Sequence, residues 1–233
     1  MKAEKPISPV SRRSLSEQAA EHLREAILRG QIKPGQRIIE EEVAAMMQTS
    51  RGPIRDALIL LEHEGLVVRE RNRGATVVSL SAEDYEEVWS LRMALEGLAL
   101  HGAFERADED DLRRLEGVVD ELAACLESDF SVQEAVDLDL RFHEELVNAS
   151  HHRRLIAYWQ GLRSQIWYLI FTRNIGEGVS YPREGHVYHK DLIEALRNKD
   201  LARGEELLRS HLDSAYSDLI TVQKSRRKSK SGG

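Results

Sequence analysis

The sequence predicts a mainly α-helical chain: an N-terminal winged helix-turn-helix of three helices and a β-hairpin, then an all-α six-helix bundle. Three observations carry this. Residues 14–80 divide into short amphipathic segments punctuated by Gly and Pro; two runs with β-branched residues flank Arg71-Asn72-Arg73-Gly74; and from Ser81 to Ile220 apolar residues recur at helical spacing with no convincing strand. The expected organisation is a flexible arm over 1–13, the winged helix-turn-helix domain over 14–80, a helical domain over 81–221 and a disordered basic tail over 222–233.

Taken in order, Met1 to Arg13 is polar, aperiodic and holds two of the five prolines; its Arg12 and Arg13 are available to DNA phosphates, but a plain disordered terminus is the better account of them. From Ser14 the pattern Leu15, Ala19, Leu23, Ala26, Ile27 is a helix, with Ser14 and Glu17 in capping-box positions and Gly30 at its end. Lys33-Pro34-Gly35 is a turn, and Glu40 to Met47 is a short helix burying Val43 and Met47. Gln48-Thr49 then leads into a helix whose apolar face is Ile54, Ala57, Leu58 and Leu61.

This third helix opens with a cationic end. Ser50 is placed to cap the first free N–H groups, Pro53 is tolerated in the first turn, and Gly65 suits a left-handed C-terminal cap. Arg51 and Arg55 add their charge to the positive end of the helix dipole, and Gly52 leaves room for close approach. Two short helices joined by a tight turn, followed by strands at Leu66 to Glu70 and Ala75 to Leu80 with arginines at the tip, make a winged helix-turn-helix. The expected DNA contacts are Thr49, Ser50, Arg51, Gly52 and Arg55 of the recognition helix, with Arg71, Arg73 and Gly74 of the wing.

Charge distribution agrees. The net charge of −7 is unusual for a nucleic-acid binder, but the first 78 residues carry 13 Lys and Arg against 11 Asp and Glu, whereas the rest carry 20 against 29. The longest apolar run, Ile166 to Phe171, is far too short to span a bilayer, and no signal-peptide core is present. A single cysteine, Cys125, excludes an internal disulfide framework and leads to the expectation of a reducing, cytoplasmic setting.

Leu23-Arg24-Glu25-Ala26-Ile27 with Gly30, Pro34-Gly35, Ser50-Arg51-x-Pro53-Ile54-Arg55-Asp56-Ala57-Leu58 and Glu62-x-x-Gly65-Leu66 together resemble the DNA-binding domain of the GntR family of bacterial transcription regulators. Two positions depart from that pattern: Gly52, where threonine is frequent, and Gln48, where glycine is usual.

Beyond Ser81 the helical runs are roughly 82–104, 108–127, 131–149, 152–173, 182–198 and 200–221, with Asn174 to Ser180 the most loop-like interval. Leu91, Leu95 and Leu98 give the first of them an apolar face for the core or a dimer contact. Four polar residues interrupt apolar stripes: Asp139 and His143 between Val136 and Leu146, His189 beside Leu192, Ile193 and Leu196, and His211 with Leu208, Leu212 and Ala215. Buried, they need partners. Three imidazoles and one carboxylate suit a divalent transition metal with positions left for water or ligand oxygens; the competing reading has each histidine bonded to a backbone carbonyl. His186, His151 and His152 complicate the assignment.

Arg92-x-x-Leu95-Glu96, Asp139-x-x-Phe142-His143-x-x-Leu146, His189-x-x-Leu192-Ile193-x-Ala195-Leu196 and His211-Leu212 resemble the effector-binding (FCD) domain of the FadR subgroup, in its six-helix, vanillate-regulator-like branch. The resemblance implies zinc or nickel on Asp139, His143, His189 and His211, with a small carboxylate effector coordinating the metal. It also places Arg92 against that carboxylate, where a surface ion pair with Glu96 at i+4 is the alternative; Arg163 is a further pocket candidate. The expectation is a homodimeric regulator, a repressor, binding a palindromic double-stranded DNA operator under control of an organic acid. Two rivals stand beside it: a metal-dependent, hydrolase-like enzyme with a DNA-binding appendage, and a regulator whose metal is purely structural.

Overall fold

The structure, a computed structural model, describes residues 14–70, 74–79, 81–175, 181 and 185–230, with side chains described except at 70, 82, 172–175 and 218–230. The chain divides into two compact units, Met1–Val78 and Ser79–Gly233.

In the first unit α1 (Leu15–Leu28) starts at the Ser14–Glu17 capping box, followed by β1 (Arg37–Ile38), α2 (Glu40–Met46), α3 (Arg51–His63), β2 (Val67–Glu70) and β3 (Gly74–Val77). The strands form one antiparallel sheet in the order β1-β3-β2, with Val68 opposite Thr76 and Ile38 opposite Ala75. β1 has no sequence counterpart, because two residues are too few to show alternation. Its pairing explains Gly74: φ is +85°, and a Cβ there would lie 2.3 Å from the Ile38 carbonyl oxygen.

The core of this unit is built on α3, where Ile54, Ala57, Leu58 and Leu61 are wholly buried against Ala19, Ala20, Leu23 and Ile27 of α1. Arg24 of α1 reaches Glu64 at the end of α3 through its Nε (2.7 Å) and Nη2 (2.5 Å), a fork-on-carboxylate pair joining the two helices. The end of α3 is closed by Gly65 in the left-handed region (φ +68°), with Leu66 N–H donating to the Leu61 carbonyl and Gly65 N–H to that of Glu62. The same motif ends α2, but there Gln48 takes the left-handed place (φ +51°).

Two expectations fail here. Leu15 is exposed, since it opens the first turn ahead of the packed stripe. Ser50 occupies the N-cap position of α3 yet makes no side-chain cap bond. The third residue of that helix is Pro53, so one of the two N–H groups a capping hydroxyl seeks does not exist.

The second unit packs six described helices: α4 (Ala82–Arg106), α5 (Glu109–Glu127), α6 (Val132–Ala149), α7 (Arg153–Ile175), α8 (Gly185–Arg197) and α9 (Leu201–Lys230). Ser81 and Asp84 make the capping box that starts α4. Leu100, Leu115, Phe142, Leu146, Leu192, Ile193 and Leu208 contribute to its core. On α4 the buried stripe is Tyr85, Val88, Arg92, Glu96, Ala99 and Ala103; Leu91 and Leu98, expected in the core or a dimer contact, are about half exposed and so lie outside this unit's core. Each lies one residue, or about 100°, from that stripe.

α9 continues to Lys230, through the stretch expected as a disordered tail. After Gly204 it contains neither glycine nor proline, and its closing lysines and arginines favour the negative end of the helix dipole. Of the loop-like interval Asn174 to Ser180, the first two residues close α7; residues 176–180, the wing-tip arginines Arg71 and Arg73 and the arm with Arg12 and Arg13 lie outside the described residues. Among the described residues no helix is long and apolar enough to cross a membrane.

Candidate functional site

The second unit brings four polar residues together from three helices. Asp139 and His143 stand one turn apart on α6, His189 comes from α8 and His211 from α9, and one potential ligand atom of each lies within 4.8 Å of all the others. Two ligands on opposite sides of a transition metal are separated by about 4.2 Å, twice a bond of roughly 2.1 Å, so this spacing is close to that of a coordination shell. Asp139, His143 and His189 are 4%, 0% and 1% exposed.

Hydrogen bonding sets the state of each group. His143 Nδ1–H donates to Glu96 Oε2 at 2.7 Å, which turns the lone pair of Nε2 toward the cluster, 3.1 Å from His211 Nε2. Glu96 Oε1 accepts from Arg92 Nε at 2.6 Å and from the Trp159 indole at 3.3 Å. Asp139 Oδ1 accepts from the Tyr181 hydroxyl at 2.7 Å and lies 3.4 Å from His189 Nε2. His189 stacks on Phe142, ring centres 4.1 Å apart, but both of its ring nitrogens are buried without a hydrogen-bond partner.

Electrostatics keep these groups in their metal-binding forms. Burial would raise the Asp139 carboxyl, but the surrounding imidazoles outweigh it and bring the pKa to about 2. Glu96 is likewise pulled below the usual carboxylate range: burial opposes ionisation, and the Arg92 guanidinium and His143 overcome it. Burial, resisted by Asp139, pushes His189 well below its ordinary value, and burial with His143 nearby lowers His211 to about 4. At neutral pH the imidazoles of His189 and His211 therefore offer lone pairs.

The effector candidates separate. Arg92 is buried, paired with Glu96, and lines an apolar cavity, partly open to solvent, between α4, α7 and α9; its Nη2 has no hydrogen-bond partner. The surface ion pair weighed for Arg92 is thus a buried one. Arg163 is half-buried, bonds Glu144 of α6 at 3.1 Å and is not among the residues that line this cavity. His151, exposed, bonds Asp111 Oδ2 at 2.8 Å. Sequence reasoning missed the supporting roles of Glu96, Trp159 and Tyr181. For Glu96 a signal existed, a carboxylate in register with the buried α4 stripe; Tyr181 and Trp159 offered none.

In the first unit Arg51, Gly52 and Arg55 are exposed at the start of α3, Ser50 is exposed and Thr49 half-buried. A Cβ on Gly52 would meet nothing within 4 Å, so the unit's own packing does not demand glycine there. Arg51 Nη2 and Arg55 Nε both lie 3.7 Å from the same carboxylate oxygen of Glu40, the first residue of α2.

Comparison with known proteins agrees with both halves. Residues 15–77 match the family of bacterial regulatory proteins, gntR family, and residues 87–214 match the FCD domain. The HTH-type transcriptional regulator YdhC of Bacillus subtilis is 30% identical over 193 residues, 82% of this chain and 84% of that one. The gluconate operon transcriptional repressor of Bacillus subtilis is 25% identical over 214 residues, 89% and 86% of the two chains. Escherichia coli McbR/YncC shares the fold, with a TM-score of 0.73 at 22% identity over 90% of this chain and 99% of that one. The chain belongs to the GntR family of bacterial transcription regulators, a DNA-binding regulator with an FCD domain rather than an enzyme.

Proposed function

We propose that this regulator is a homodimeric repressor whose FCD domain holds a divalent transition metal, zinc or nickel, on Asp139, His143, His189 and His211, and changes its affinity for a palindromic operator when a small carboxylate binds. The observation that carries the metal is His189. An imidazole 1% exposed with both nitrogens unpaired costs about 1–3 kcal/mol per unmet group, and a metal at the centre of the four donors satisfies it. The donor set of three imidazoles and one carboxylate suits such an ion, and Glu96 behind His143 is the outer carboxylate that metal-bound imidazoles regularly have. When bound, the metal supplies open positions for a carboxylate oxygen, while the unpaired Arg92 Nη2 is placed to hold the acid's charge.

Arg51 and Arg55 supply base-edge or phosphate contacts, Thr49, Ser50 and Gly52 line the approach, and Arg71, Arg73 and Gly74 serve the wing. A two-fold dimer requires a palindromic site. Repression is favoured by the likeness to the gluconate operon transcriptional repressor of Bacillus subtilis. Coupling between effector and DNA of about 1–3 kcal/mol is the expected scale.

The test joins two measurements on the purified full chain. Elemental analysis should find stoichiometric zinc or nickel that disappears in His143→Ala, and selection from random duplexes should enrich a palindrome. Metal retained by that variant removes the metal assignment; enrichment of no palindrome removes the dimeric-operator reading. A metal whose removal lowers thermal stability but leaves every carboxylate response unchanged is structural only.

A further inference from the structure

Resting on the reading of a metal-assisted carboxylate site, we infer that the acid this regulator senses is a monocarboxylate with a flat, apolar body, such as an aromatic ring, and not a polyhydroxylated acid. The cavity beside Arg92 carries this. Its walls are Val88 and Trp89 of α4, Ile166 and Ile170 of α7, and Leu212 and Tyr216 of α9. Arg92 ties this space to the cluster, because its Nε donates to Glu96, whose other oxygen accepts from the cluster residue His143.

Two donors on these walls lack partners: Arg92 Nη2, on a side chain 6% exposed, and the Trp89 indole nitrogen. Trp89 is held by stacking on Tyr216, ring centres 4.7 Å apart and 24° from parallel. A guanidinium edge unpaired at the end of a hydrocarbon-lined space suits one anionic group with an apolar remainder. The indole N–H suits a single further acceptor.

A sugar acid fits poorly. Its several hydroxyl groups would face Val88, Ile166, Ile170 and Leu212, and each one buried without a partner weakens binding by about tenfold. A ring instead buries apolar surface against those walls and against the Trp89–Tyr216 stack.

Calorimetric titration of the metal-loaded full chain with benzoate, gluconate and acetate tests this. Benzoate should bind at least about tenfold more tightly than either other acid, the ring supplying what acetate lacks. Ala215→Phe, which fills the cavity from a half-buried position on α9, should weaken benzoate by about tenfold or more while metal content and acetate binding stay as in the parent. Gluconate binding as tightly as benzoate, or benzoate binding unaffected by Ala215→Phe, overturns the inference and leaves the carboxylate reading standing. Failure of all three acids to bind the metal-loaded protein overturns both.

Discussion

Replacing Glu96 with glutamine isolates what one wholly buried carboxylate does for the FCD domain. Glu96 is 0% exposed and accepts from Arg92, His143 and Trp159. Glutamine keeps the shape but removes the charge opposite Arg92, and breaking a buried ion pair typically costs about 3–5 kcal/mol. The low end, near 3 kcal/mol, is expected, because the amide oxygen still accepts one bond and Arg92 borders a cavity partly open to solvent. The second effect falls on His143. A neutral amide no longer fixes the proton on Nδ1, so the Nε2 lone pair is not held toward Asp139, His189 and His211, and metal affinity should fall about 10- to 100-fold. Urea unfolding of the chelated protein reads the first quantity, and competition against a chromophoric chelator the second. Glu121→Gln is the control, since its pair with Arg141 is half exposed and worth less than about 1 kcal/mol. Metal affinity within twofold of the parent, about 0.4 kcal/mol, would refute the argument that Glu96 sets the ligand state of His143.

Three further outcomes follow from other contacts. His189→Leu removes two buried nitrogens without hydrogen bonds, so the chelated protein should unfold at the same or higher urea concentration, by up to about 2 kcal/mol, while metal binding is lost; a less stable apoprotein would show that the Asp139 carboxylate 3.4 Å away, or the stack on Phe142, already compensates the buried imidazole. Gln48→Gly relieves a left-handed backbone conformation and should stabilise the DNA-binding domain by up to about 1 kcal/mol in thermal unfolding, a loss of stability counting against the strain argument. Glu40→Gln withdraws the carboxylate that Arg51 and Arg55 share, so binding to random duplex DNA should tighten several-fold, by about 1 kcal/mol at low salt, in fluorescence anisotropy. Unchanged binding would mean that those arginines do not meet DNA.

The periodicity of apolar residues determined most of the helices. Ile54, Ala57, Leu58 and Leu61 stand at the spacing that must be buried on one helix face, and Ser14 with Glu17, or Gly65, mark ends through local backbone chemistry alone. Asp139, His143, His189 and His211 were legible for the converse reason, as polar groups on stripes whose neighbours are apolar. Contacts between distant segments decided the rest. β1 exists only because β3 pairs with it, and the glycine at 74 is required only because the Ile38 carbonyl approaches. Arg163 and Arg92 are both arginines on helices of the bundle, and only the packing of Glu144 against one and of a cavity against the other tells them apart. Glu96 became a partner of His143 across 47 residues of sequence, a relation no local pattern encodes, because side-chain chemistry is written in the chain but its neighbours are set by how the helices pack.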